Sequence, residues 1–129
     1  ARRAAELAFA MAAACGAEVL LLQAVDPTPA WGSRQEEPQR RLARQKALAR
    51  DGLDALRKLA APLGVSVATR VVVADDPVAA ILRVASARHA DLLVLGSAVG
   101  VGTGRLALGQ RAERLMREAE CPVLLFNVS

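Results

Sequence analysis

A chain of 129 residues, 53% hydrophobic and 23% charged, has the length of one globular domain, and a domain of this size buries about 68% of the surface of its extended chain, enough to form a core without disulfide or metal staples. That hydrophobicity excludes a disordered segment, and no stretch approaches the roughly 20 apolar residues of a membrane span. Aromatic residues make up 2%, with no Tyr, so the core is built from Ala, Leu and Val, and the surface lacks the rings of a single-stranded nucleic-acid platform.

The net charge of +4 and a pI near 10.0 raise duplex DNA as a partner, but the position of the charge argues against it. Arg34, Arg40, Arg41, Arg44, Lys46, Arg50, Arg57 and Lys58 face only Glu36, Glu37, Asp51 and Asp54 within one segment, and the charges elsewhere cancel. That segment reads as the solvated face of one helix, so nucleic acid is not the expected partner. Cys15 and Cys121 stand apart with no C-x-x-C and no neighbouring His. Neither a zinc site nor a disulfide framework is indicated, and a reducing cytoplasm is the expected location.

In chain order, the Ala-rich run from Arg2 to Cys15 predicts a helix stopped by Gly16, whose missing Cβ suits a left-handed cap. The apolar run Val19 to Val25 predicts a strand buried on both faces. Asp26 to Glu37, with Pro27, Pro29 and Gly32, predicts a long loop in which Trp31 covers the edge of the core or touches a ligand. Pro38 to Ala60 predicts an amphipathic helix with Leu42, Ala49, Leu53, Leu56 and Ala60 inward and the arginines outward, ended by Pro62 and Gly64. Val65 to Val73 predicts a less buried, edge-type strand. Asp76-Pro77 predicts a capped helix start, followed by a helix to about His89 with Val78, Ile81, Leu82 and Ala85 inward. Leu92 to Leu95 predicts a fully buried strand, Gln110 to Ala119 a helix, and Val123 to Val128 a last strand. Helices alternating with strands predict a parallel sheet covered on both faces.

Between the third strand and the last helix, Gly96 to Gly104 holds four glycines in nine residues. Such a loop is where open α/β sheets meet phosphates, because glycine lets backbone N–H groups approach an anion and the next helix adds its dipole. It has no Gly-Lys-Ser or Gly-Lys-Thr, which excludes a Walker loop. Gly102-x-Gly104-x-x-Ala107 matches a dinucleotide fingerprint in form only, since no acidic ribose contact follows.

Asp91-Leu-Leu-Val-Leu-Gly-Ser, the glycines after it, Leu106-Ala-Leu-Gly109, Ala112-Glu-Arg-Leu and Cys121-Pro-Val-Leu-Leu together resemble the C-terminal half of the universal stress protein family. Gly16-Ala-Glu-Val-Leu-Leu-Leu resembles that family's second strand, and Pro77-x-x-x-Ile81 its third helix start. The resemblance implies a three-layer α/β/α, flavodoxin-like fold of the adenine-nucleotide α-hydrolase type, with a parallel five-stranded sheet in the order 3-2-1-4-5. Residues 1–129 then form a single domain. Its first strand is expected to be missing from this chain, which opens on a helix. The resemblance further implies an adenine-nucleotide site, ATP in the subgroup marked by Gly-x2-Gly-x9-Gly followed by Ser or Thr. Gly96 and Gly109 keep the outer spacing; Val99 stands at the middle glycine, with Gly100 one place later, and Gln110 replaces the hydroxyl residue. By this analogy Ala24 and Val25 line the adenine side, Gly96, Gly100, Gly109 and Gln110 approach ribose and phosphates, and a homodimer forms through Val123 to Val128. The alternative is a dimeric interaction module of the same fold that holds no nucleotide.

No enzymatic group is apparent. His89 sits at a helix end without a Ser or Cys partner, Ser97 does not fit a Gly-x-Ser-x-Gly elbow, Asp76 of the pair Asp75-Asp76 is expected to cap a helix, and metal ligands are lacking. The expectation is a nucleotide binder with slow hydrolysis at most.

Overall fold

The computed structural model describes residues 2–27, 37–97 and 110–127. Helix α1, Arg2–Cys15, buries Ala4, Ala5, Phe9 and Ala12 along one stripe. Gly16 stops it at φ +71°, and the Ala17 amide donates back to the Ala12 carbonyl at 3.0 Å, the six-to-one bond of a left-handed helix cap. Strand β1, Val19–Val25, pairs in parallel with β2, Val67–Val73, from Val19 opposite Val67 to Val25 opposite Val73. Helix α2, Pro38–Lys58, joins them, with proline in the first turn and Arg57 and Lys58 in the last, where cations meet the negative end of the helix dipole. A short 3-10 turn, Ala61–Leu63, follows, and Gly64 closes it at φ +68°.

Helix α3, Pro77–Ala87, leads to β3, Leu93–Ser97; α4, Gln110–Glu118, leads to β4, Val123–Asn127. β3 and β4 form a second parallel pair, Leu93 opposite Val123 through Ser97 opposite Asn127. The pairs β2-β1 and β3-β4 match the 3-2 and 4-5 neighbours of the expected order 3-2-1-4-5. They remain two sheets rather than one, since no strand among the described residues hydrogen-bonds between β1 and β3. Helix α1 packs on both β1 and β3, and so spans the two sheets.

The tightest core lies where α1 crosses the start of the first sheet. Ala5, Phe9 and Ala60 are buried there against Val19, Leu21, Leu56, Leu59, Val65 and Val67. Phe9 is the one large side chain with no exposure among the described residues.

Several expectations are corrected. β1 is not buried on both faces: Val25 alone is buried, Gln23 is exposed and the others are half-covered. β3 is half-buried too, and Leu92 before it is exposed. Both strands hydrogen-bond to a strand along one edge only, which leaves their side chains less enclosed than those of an interior strand. β2 starts at Val67 rather than Val65, because the chain is still approaching the sheet at Ser66, whose carbonyl accepts from Val19 at 3.0 Å. Along α3 the buried residues are Pro77, Val78, Ala80 and Val84, while Ile81, Leu82 and Ala85 are only half-covered. Finally, Arg41 does not join the solvated face of α2. It is buried, and its Nη2 donates to the Pro27 carbonyl at 3.3 Å, meeting the requirement that a buried cation keep polar partners.

Candidate functional site

The ends of the strands converge on the starts of α3 and α4. Three residues after Val73, which lies opposite Val25, Asp76 caps α3, its Oδ1 accepting from the Ala79 amide at 3.2 Å. A carboxylate here satisfies an amide that has no intrahelical partner and meets the positive end of the helix dipole. The same carboxylate reaches α4: Arg114 Nη1 donates to Asp76 Oδ1 at 2.8 Å and to Oδ2 at 2.9 Å. Arg114 Nε donates in turn to Glu118 at 2.8 Å. The bridge therefore ties the start of α3, just past the C-terminal end of β2, to the middle of α4, one turn from Gln110.

The Ala79 amide, and after it the Arg114 guanidinium, hold the Asp76 carboxyl below its ordinary value, while Asp76 and then Glu118 hold Arg114 still more firmly protonated. A carboxyl whose pKa falls on folding stabilises the fold fully above its unfolded value, and that contribution is lost as pH falls through the folded one. Near neutrality the thermal midpoint of the wild type should therefore exceed that of Asp76→Ala, the gap closing as pH drops below about 3.8. Circular dichroism melts across that range check it; a gap that persists at the lowest pH contradicts it.

Of the residues the sequence points to, Val25 is buried and Ala24 half-buried at the end of β1, Gly96 is exposed near the end of β3, and Gln110 is exposed at the start of α4. Arg111 beside it is exposed as well. Gly100 and Gly109 fall outside the described residues, as do Val99, Gly102, Gly104, Arg105, Trp31 and Val128. Arg114 is the functional candidate that sequence reading missed. Its spacing to Glu118 was visible, but its partner lies 38 residues away.

At the far ends of α3 and α4 a cleft of about 400 Å³ opens between Leu82, Ser86 and His89 on one side and Glu118, Glu120 and Cys121 on the other. His89 stands there at φ +52°, its amide donating to the Ser86 carbonyl at 3.1 Å and that of Ala90 to Ala85 at 3.0 Å. It acts as the left-handed stop of α3, a place glycine usually takes. Among the described residues no group of three or more His, Cys, Asp or Glu is placed to hold a metal ion, and both cysteines are free.

The sequence profile of the Universal stress protein family matches residues 1–127. The chain belongs to this family. "Universal stress protein in QAH/OAS sulfhydrylase 3'region" of Thermus aquaticus is 34% identical over 128 residues, which cover 97% of this chain and 88% of that protein. Among solved structures, a universal stress protein family member from Burkholderia pseudomallei superimposes with a TM-score of 0.74 at 28% identity, covering 96% of this chain and 84% of its own. A universal stress protein in complex with cAMP superimposes with a TM-score of 0.67 at 27% identity, covering 99% of this chain and 87% of its own. These likenesses establish the flavodoxin-like α/β fold for this universal stress protein. No helix among its described residues is long and apolar enough to cross a membrane.

Proposed function

We propose that this universal stress protein binds an adenine nucleotide at the C-terminal ends of its strands and acts in regulation of the stress response, with hydrolysis slow or absent. The observation that carries the reading is that three features stand at strand C-terminal ends or at the helix start that follows: the apolar end of β1 at Ala24 and Val25, Gly96 near the end of β3, and the start of α4 at Gln110. The first-turn amides of a helix have no intrahelical acceptor and bear partial positive charge. At α3 one such amide is taken by Asp76; in this reading the start of α4, which follows β3, receives the anion. The cAMP complex of a relative at 27% identity supports an adenylate as the occupant. Gln110, in place of a hydroxyl residue, keeps an amide donor for a phosphate oxygen. ATP is the expected triphosphate ligand, with Gly100 and Gly109 completing the phosphate side.

The chain is expected to act as a single cytoplasmic domain, and to form a homodimer through its last strand. In support, β4 pairs on one edge only among the described residues, and an apolar strand edge calls for cover. Calorimetric titration of ATP, AMP and cAMP into the purified protein tests the nucleotide reading. Saturable heat is expected for at least one of them. The departures at Val99 and Gln110 favour the second reading, an interaction module without nucleotide, if none produces a signal.

A further inference from the structure

We propose that the Asp76–Arg114 bridge is a positioning device for the nucleotide site, locking the middle of α4 against the start of α3 so that the amides at Gln110 and Arg111, one turn away, stand where a phosphate meets them. The inference rests on the nucleotide reading above and adds to it the residues that hold the site in shape.

Helix α4 is only nine residues long, and Leu115 is its single buried residue. One apolar anchor restrains translation of a short helix poorly against rotation about that point. Arg114, next to it in sequence, adds a second restraint of a different kind. Its Nη1 takes both oxygens of Asp76 at 2.8 and 2.9 Å while its Nε is held by Glu118 at 2.8 Å. The contact within its own helix fixes the side chain, so less conformational freedom is lost when the far contact forms. Asp76 is equally fixed, because its Oδ1 is already committed to the Ala79 amide. The pair is thus restrained at both ends and joins the start of α3 to the middle of α4 across 38 residues of chain.

The ion pairs Arg2–Glu6, Arg57–Asp54 and Arg117–Glu113 link residues three or four apart on one helix, and exposed pairs of that kind add little to stability. The Asp76–Arg114 pair is half-exposed too, so a large stability role is not expected of it either. Its distinctive property is geometric. Anion sites built from backbone amides tolerate displacement of only about 0.5 Å, and Arg114 lies one turn from Gln110 on the helix that supplies those amides.

The test uses the whole chain and keeps the cap: in Asp76→Asn the side-chain oxygen still accepts from Ala79, since Asn caps about as well as Asp, while the charge facing Arg114 is lost. Affinity is read with a fluorescent N-methylanthraniloyl derivative of ATP, and helix order by amide hydrogen exchange across α4. Asp76→Asn and Arg114→Met are each expected to weaken binding about two- to fivefold, the scale of a half-exposed ion pair. The double variant should bind no worse than the weaker single, and Arg114→Lys should recover part of the loss. Arg57→Met, which removes an exposed pair on α2, should leave affinity unchanged. Exchange at Gln110 to Leu115 should speed up in Asp76→Asn. Wild-type affinity in Asp76→Asn overturns the positioning role while leaving nucleotide binding intact. A wild type that binds none of the probe overturns the nucleotide reading and this inference with it. Unchanged exchange in α4 refutes the mechanical link itself, with or without ligand.

Discussion

Replacing Phe9 with alanine is expected to lower the free energy of unfolding by about 3–5 kcal/mol. Phe9 has no exposed surface, and the residues around it come from α1, from the end of α2 and its following turn, and from the starts of β1 and β2. Small neighbours such as Ala5 and Ala60 cannot extend into the space a benzyl group leaves, so the cavity persists and its cost adds to the lost transfer energy. Stabilities of single domains are about 5–15 kcal/mol, so this one change consumes a large share. Urea unfolding followed by circular dichroism measures it; a loss below about 1 kcal/mol would show that the site collapses or that Phe9 is not the keystone of this core.

The second large effect is expected at Leu115, where alanine should cost about 2–5 kcal/mol. Leu115 is 4% exposed and is the one buried residue of α4. Its loss frees the helix that carries Gln110 and Arg114, so the stability change should be accompanied by weaker nucleotide binding. Phe9→Ala, acting at the start of the first sheet, is expected to spare affinity in whatever fraction remains folded. Binding measured at a temperature where both variants stay folded separates the two; equal affinities in Leu115→Ala and the wild type would contradict the role given to α4.

Much of the architecture was legible because it rests on local chemistry. Gly16 marks a helix stop with a left-handed backbone, Asp76-Pro77 marks a start whose cap is formed as expected, and the apolar runs from Val19 and Leu92 mark strands, the second beginning at Leu93; α2 ends at Lys58, two residues before the expected Ala60, and Gly64 closes the 3-10 turn after it. What escaped was set by distant partners. Arg41 repeats the pattern of the exposed arginines around it, and its burial against the carbonyl of Pro27, 14 residues back, is set by packing. His89 carries no signal for a left-handed stop, because that role normally falls to a residue without a Cβ. The half-burial of β1 and β3 depends on how many strands flank each one, which a run of Leu and Val does not encode. At the site, the cap by Asp76 was readable and the bridge to Arg114 was not, since side chains 38 positions apart meet only once the two helices are packed.

The proposed adenine nucleotide sits across the ends of β1 and β3 and at the start of α4. Titrating ATP into isotopically labelled protein and following backbone amide resonances tests it most directly. Saturable shifts are expected at Val25, Gly96 and Gln110, with little change at Ser86, His89 or Cys121 around the far cleft. Resonances that stay unmoved at millimolar ATP, or shifts confined to the far cleft, would contradict it.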